Sequence, residues 1–157
     1  MKKHLLVLLL LLCAGTVSAQ QWAVGLRLGS GVQADVQYTF NSQNYIEGRL
    51  GTSWIGAHGM GVDITALYNW NISNMDWTPS AGRWFFDAGI GANFGTGTHY
   101  IYTGVAGMAK LGINFKNAPI GLSLDWSPVI GVGIYSGNTS FNGLGFGNFG
   151  LTCVYRF

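Results

Sequence analysis

The sequence predicts an all-β fold, an eight-stranded antiparallel up-and-down transmembrane β-barrel, on three observations. First, Phe157, Tyr155, Cys153, Leu151 and Phe149 occupy every second position back from the end, with Arg156, Val154, Thr152 and Gly150 between them. Period two is the strand period, so this last strand has one oily face. Second, alternating segments of about ten residues, set apart by turn residues, recur along the chain, which is the pattern of a barrel that crosses a bilayer. Third, charged residues make up only 9% of the sequence, against about 25% in an ordinary soluble domain.

The segments follow in order. Gln21–Gly29 sets Trp22, Val24, Leu26 and Leu28 against Arg27, and Ser30-Gly31 turns it. Val32–Phe40 alternates Val32, Ala34, Val36, Tyr38 and Phe40 with Gln33, Asp35, Gln37 and Thr39. After a turn at 41–43, Asn44–Trp54 opposes Ile46, Leu50 and Trp54 to Glu47, Arg49, Gly51 and Ser53. Met60–Trp70 opposes Met60, Val62, Ile64, Ala66, Tyr68 and Trp70 to Gly61, Asp63, Thr65 and Asn69. A polar connector covers 71–82. Arg83–Phe94 then places Trp84, Phe86, Ala88, Ile90, Ala92 and Phe94 against Arg83, Asp87, Gly89, Gly91 and Asn93. Residues 95–103 read as a loop. Gly104–Lys116 opposes Val105, Leu111, Ile113 and Phe115 to Lys110, Gly112, Asn114 and Lys116. A turn at 117–119 leads to Ile120–Ser127. Residues 128–143 read as a long Gly-rich loop, and the last segment runs from about Gly145 to Phe157. Leu67, Phe85, Met108 and Val154 break the pattern by sitting on the polar parity. Leu144 and Phe146 are out of phase with Phe149, which predicts a β-bulge near Gly147.

The ends define the domains. Lys2, Lys3 and His4 precede an apolar run from Leu5 to Leu12, and Val17-Ser18-Ala19 offers a small-x-small cleavage site. This is the secretory signal pattern. The run is well short of the roughly 20 residues a spanning helix needs. Residues 1–19 are therefore expected to be a cleaved signal peptide and 20–157 the barrel domain. The remaining basic residues are Arg27, Arg49, Arg83, Lys110, Lys116 and Arg156, and the acidic ones are Asp35, Glu47, Asp63, Asp76, Asp87 and Asp125, so their formal charges cancel. No basic surplus exists to attract nucleic acid. Cys153 is the only cysteine in 20–157, so no internal disulfide forms.

Alternation alone does not say which face is outside, since a soluble ligand-binding barrel alternates too. Size decides. An eight-stranded barrel has an interior just wide enough for side chains. The rings and branched chains fit the outside, and Gly, Ser, Thr and Asn fit the inside. Energy agrees, because Arg or Lys on a lipid face costs about 2–4 kcal/mol at the midplane. All charges outside the 71–82 connector share the inward parity. The expected lumen network is Arg27, Asp35, Glu47, Arg49, Asp63, Arg83, Asp87, Lys110, Asp125 and Arg156, with Arg27 and Asp35 as the leading adjacent-strand pair. Unpaired buried charge is costly, so these groups should pair. The aromatics bunch near strand ends. One girdle holds Trp22, Tyr38, Phe40, Tyr68, Trp70, Trp84, Phe86, Phe115, Tyr155 and Phe157, and the other Trp54, Phe94 and Trp126.

Chemistry is sparse. His58 and His99 fall in predicted outer loops. His58 lies near Ser53 and Asp63 in sequence, a weak triad pattern, and no third metal ligand accompanies the two histidines. Gly145, Gly147 and Gly150 match a nucleotide-binding spacing, but that motif must open a helix, and here it lies in a strand. Neither an enzyme nor a cofactor is expected.

The terminal pattern Phe149, Leu151, Tyr155 and Phe157, with Cys153 as an apolar substitute, resembles the signature that the barrel-assembly machinery reads on outer-membrane barrels. The chain from residue 20 onward resembles the small eight-stranded OmpA/OmpX-type barrels, in their stand-alone, Gly-rich form. Segments such as Ala66-Leu67-Tyr68 and Leu124-Asp125-Trp126-Ser127-Pro128 carry the likeness. The resemblance implies a monomer in the outer membrane of a Gram-negative bacterium, with lipid and lipopolysaccharide as surroundings. Its implied role is structural or surface-interacting and its lumen is filled. The alternatives are a narrow small-solute channel and a lipid A-modifying hydrolase.

Overall fold

A computed structural model describes residues 21–54, 60–135, 138–142 and 146–157. The expected signal segment and His58 lie outside these residues. The strands are β1 (Trp22–Leu28), β2 (Val32–Thr39), β3 (Asn44–Trp54), β4 (Met60–Met75), β5 (Gly82–Gly97), β6 (Tyr100–Phe115), β7 (Ile120–Trp126), β8 (Val129–Tyr135), β9 (Asn138–Asn142) and β10 (Phe149–Arg156). No helix occurs among the described residues.

The strands close into an eight-stranded antiparallel barrel. β1 to β7 pair with their neighbours in turn, and β10 bridges β7 and β1. β8 continues β7 past Ser127-Pro128 and pairs with the upper half of β6, from Tyr100↔Tyr135 to Ala106↔Val129. β9 folds back on β8. Seven and eight residues make β1 and β2, whereas β4, β5 and β6 have 16 each. One side of the barrel is therefore taller than the other. Both described ends, near Trp22 and Phe157, lie at one rim, called inner here, where Phe157 donates its amide to the Trp22 carbonyl.

Following the ladder from Arg27 gives the closure geometry. One path runs through Gln33, Gly51, Asp63 and Gly95 to Tyr102. The other runs through Thr152 and Ser123 to Gly112. The two paths reach β6 ten residues apart, from Tyr102 to Gly112. With a strand rise of about 3.3 Å and a spacing of about 4.8 Å, this stagger tilts the strands by about 40° and gives a backbone radius of about 8 Å. Such a tube holds side chains and little else.

The polarity is inverted relative to a water-soluble domain. Leu26, Leu50, Val62, Ile64, Ile90, Val105, Leu124 and Leu151 are exposed on the outer wall, whereas Arg27, Asp35, Glu47 and Asn69 are at most 1% exposed inside. The four pattern-breakers Leu67, Phe85, Met108 and Val154 all point inward and are buried. Aromatic rings form a belt near the inner rim. Centroid distances are 4.7 Å for Trp22–Tyr38, 5.2 Å for Tyr38–Phe40, 6.4 Å for Phe40–Tyr68 and 5.0 Å for Tyr68–Trp70. At the outer side Trp126 stacks with Phe149 at 6.4 Å.

Several boundaries differ from the sequence reading. The expected loop at 95–103 is mostly strand, with only Thr98 and His99 turning. The expected loop at 128–143 contains β8 and β9. The connector at 71–82 shrinks to 76–81. The ladder's register break lies between Asn71 and Ser73 rather than near Gly147. Gly147 instead belongs to a turn, where its carbonyl accepts the Phe149 amide at 2.9 Å.

Candidate functional site

The lumen is the place where this sequence concentrates its polar chemistry. Alternation sends one residue in two inward, and eight of the expected network residues are buried there: Arg27, Asp35, Glu47, Arg49, Asp63, Asp87, Lys110 and Asp125. Arg156 is half-buried and Arg83 is exposed, both at the inner mouth. Lys116, which shares the inward parity, lies past the end of β6 and is exposed.

Two linked clusters fill the middle of the lumen. Glu47 binds both neighbouring cations: Arg49 Nε donates to its Oε1 at 2.6 Å and Lys110 Nζ to its Oε2 at 2.6 Å. Asn69 donates to the same Oε2 at 3.0 Å. Arg49 Nε also lies 3.5 Å from Asp35 Oδ2, its cross-strand neighbour. On the other side, Arg27 Nε donates to Asp125 Oδ1 at 2.8 Å, and Thr152 donates to Oδ2 at 2.9 Å. Arg49 Nη1, 3.5 Å from Asp125, joins the two clusters. Strands on opposite sides of the tube are thereby tied through its centre.

The pairing of Arg27 corrects the expectation that it meets Asp35. Arg27 stands opposite Gln33 on β2 and Thr152 on β10. Asp125 is on β7, one strand further, opposite Gly150. A Cβ at Gly150 would sit 2.5 Å from Arg27 Cζ. Because Gly150 has none, the guanidinium lies flat over β10 and reaches the next strand. Asp35 is left to Arg49 and to Gln37, which donates to it at 3.0 Å.

Above these clusters neutral donors take over. Gln33 donates to both oxygens of Asp63 at 2.9 Å, and Asn93 donates to Thr65 at 2.7 Å and to Asp63 at 3.2 Å. An apolar cap of Leu67, Tyr100, Tyr102, Ala106, Met108 and Val129 packs on the tall side. Tyr102 lies over its cross-strand partner Gly95, where a Cβ would come 2.1 Å from the ring.

Below the clusters the lumen opens. Tyr45 carries Lys110 Nζ 5.6 Å above its ring centre, and its hydroxyl donates to Asp87 at 2.8 Å. Asn71 donates to the other Asp87 oxygen at 2.7 Å. Beneath them a cavity of about 320 Å³ reaches the inner rim.

Sequence reasoning found the charges and missed their neutral partners. Gln33, Asn69, Asn93, Ser127 and Thr152 complete the network, and the signal for each was its inward parity on a strand already holding a charge. Tyr100 and Tyr102 were hidden because their segment reads as a loop.

The assembly-signature residues Phe149, Leu151, Tyr155 and Phe157 all face outward and are exposed, as is Cys153. His99 is exposed in the β5–β6 turn. Asp63, the acid of the weak triad pattern, is instead buried between Gln33 and Asn93. No group of three metal-ligating side chains occurs among the described residues. The chain matches no family model, no curated protein and no solved structure.

Proposed function

We propose that the protein is a non-enzymatic integral outer-membrane β-barrel with a structural or surface-interaction role, exported by residues 1–19. The observation that carries this reading is the inverted polarity of the barrel. Its outer wall is a continuous surface of Leu, Ile, Val and Phe, and eight of its charged residues are buried inside. In water such a wall is an aggregation surface far larger than soluble monomers tolerate. In a bilayer it is the matching solvent. The belt of Trp, Tyr and Phe at the inner rim suits the lipid–water boundary. The account takes outer-membrane lipid and lipopolysaccharide as surroundings and the barrel-assembly machinery as the transient partner that reads the final strand. The eight barrel strands close on one another, with the short β9 alone left at an edge, so the reading takes the monomer as the working unit.

The surface role belongs to the tall side. Sixteen residues tilted at about 40° rise about 40 Å along the axis, against an apolar band of about 25 Å. The β5–β6 turn and the adjoining ends of β8 and β9 therefore stand clear of the bilayer. Ile134 and Phe141 are exposed there, Phe141 at 74%.

Reconstitution tests the reading. The protein refolded into phospholipid vesicles should float with them after a urea wash and give no measurable single-channel conductance. Protein recovered in the wash removes the membrane assignment, and steady conductance removes the sealed lumen. Exchange of Ile134 and Phe141 for serine should lower adhesion of intact cells without changing the amount of barrel. Unchanged adhesion takes the hairpin out of the account.

A further inference from the structure

Strand β9 leaves one edge of the sheet unmatched. It pairs with β8 on one side, and no described strand pairs with its other side. The phase of the ladder shows which backbone groups that edge offers. Gly107 donates its amide to the carbonyl of its cross-strand neighbour Pro128 at 2.8 Å. Even-numbered residues of β8 therefore turn their backbone groups to β6, and odd-numbered ones turn theirs to β9. Asn138, Ser140 and Asn142 stand opposite Tyr135, Gly133 and Gly131, so their backbone groups point back to β8. The amide and carbonyl of Thr139 and of Phe141 point the other way. β8 prolongs β7, and β9 and β10 lie on the same side of that line, so these groups face the space above β10. The wall is low there, since β10 begins only at Phe149 and β1 and β2 have 7 and 8 residues. Edges exposed to water usually carry a charge or a proline that turns a further strand away. β9, Asn-Thr-Ser-Phe-Asn, carries neither, and no Asp, Glu, Lys or Arg occurs from Ala88 to Ala109 or from Trp126 to Tyr155.

We propose that this edge pairs antiparallel with the same edge of a second copy of the chain, held in a facing bilayer. Thr139 of each copy then stands opposite Phe141 of the other, about a two-fold axis at Ser140. Each of these two pairs exchanges two backbone hydrogen bonds, which satisfies every outward group of both strands. The uncharged rim selects no oppositely charged partner and does not repel its own copy. Shape agrees, because the tall side of an inverted copy fills the space above the low side of the first. The inference deepens the surface role and rests on the membrane reading for the place of the second copy. Upright copies in one bilayer are related by rotation about its normal. Their strands, tilted by about 40°, cross at no more than about 80° and never run opposite. A copy in a facing bilayer is inverted and meets the requirement. Five residues a side bury far less than the roughly 1,200 Å² of a stable interface. Single copies in detergent therefore stay monomeric, and the contact holds only between membranes that carry many copies.

The test is clustering of phospholipid vesicles that carry the refolded barrel, read by light scattering. Their apparent size should rise several-fold over that of empty vesicles. Thr139→Pro removes an outward amide and leaves the β8 ladder its bonds, so it should abolish clustering. The heat-dependent gel shift of a closed barrel reports that the variant is folded. Ser140→Cys in a Cys153→Ser background locates the second copy, because residues facing across a non-hydrogen-bonded antiparallel pair are close enough for a disulfide. It is made with and without an N-terminal tag, and the two forms are reconstituted into separate vesicles. After mixing and mild oxidation, cross-linked dimers containing both forms should appear, and Thr139→Pro in both should remove them. Flotation after a urea wash separates this proposal from the membrane reading. Barrels that float but neither cluster nor cross-link overturn the edge pairing alone, as does clustering that Thr139→Pro leaves unchanged. Cross-links confined to one form place the second copy in the same bilayer and overturn the facing arrangement. For barrels that do not float, the Ser140→Cys chain is oxidised at high concentration in detergent. A dimer that Thr139→Pro removes then sustains the edge pairing, and its absence overturns it.

Discussion

Arg27 and Gly150 show how one missing side chain sets the partner of one charge. Arg27 is 0% exposed and Asp125 1%, so Arg27 depends on Asp125 for neutralisation, while Asp125 also has Arg49 at 3.5 Å. Replacing one member of a buried pair strands the other, at a cost of about 3–5 kcal/mol. Asp125→Asn should therefore lower the urea midpoint of the refolded barrel by that equivalent, and Arg27→Met with Asp125→Leu should recover much of the loss. Gly150→Ala places a methyl group 2.5 Å from the Arg27 Cζ position and should cost about 1–3 kcal/mol as overpacking. Gly48→Ala is the control. A Cβ there meets nothing within 4 Å, so the change should be neutral or stabilising by about 0.5 kcal/mol, from the lost backbone freedom of the unfolded glycine. Equal effects at the two glycines, read from equilibrium unfolding, contradict this description of the lumen.

At the scale of a strand, alternation decides both what is buried and what a substitution does. Leu124 on β7 is 57% exposed between the buried Ser123 and Asp125. Leu124→Arg should destabilise the vesicle-embedded barrel by about 2–4 kcal/mol, whereas in water an exposed Leu→Arg change costs almost nothing. Unfolding from vesicles distinguishes the two. The same alternation made most of the fold legible. Period two located all eight barrel strands, with the largest miss at the end of β4, Met75 instead of Trp70, and it put most of the charges on the inward face. It failed where glycine is a packing device instead of a turn. Gly95 and Gly97 read as loop residues, yet they lie beneath the rings of Tyr102 and Tyr100. Those rings fill the space that side chains at the glycines would take, from across the same hairpin. The β8–β9 hairpin was hidden for a similar reason, since its glycines at 131 and 133 look like punctuation but pair in register with Gly104 and Tyr102. The Arg27–Asp125 pair was not legible either, because the barrel's stagger, set by closure, is not written in any one segment.

At the scale of the molecule, closure depends on the two ends of the chain. β1 pairs with β10 from Ala23↔Arg156 to Leu28↔Leu151. Removing residues 149–157 leaves β1 and β7 with open edges and takes Thr152 from the Asp125 site. That truncation should lose the heat-dependent gel shift entirely, while Phe157→Ala, which deletes a single outward ring at the rim, should keep it. A truncated chain that still shows the shift speaks against the closed ladder.

The central claim is that the apolar wall sits in lipid and the ionic groups lie inside. Cys153 offers the most direct measurement, because it is a free, exposed cysteine on the outer wall of β10. A nitroxide attached there, in barrels reconstituted into vesicles, should collide more often with dissolved oxygen than with a water-soluble nickel chelate. A second label at the exposed inner turn, as Ser42→Cys in a Cys153→Ser background, should show the opposite order. A Cys153 label as open to the chelate as the turn label contradicts the account.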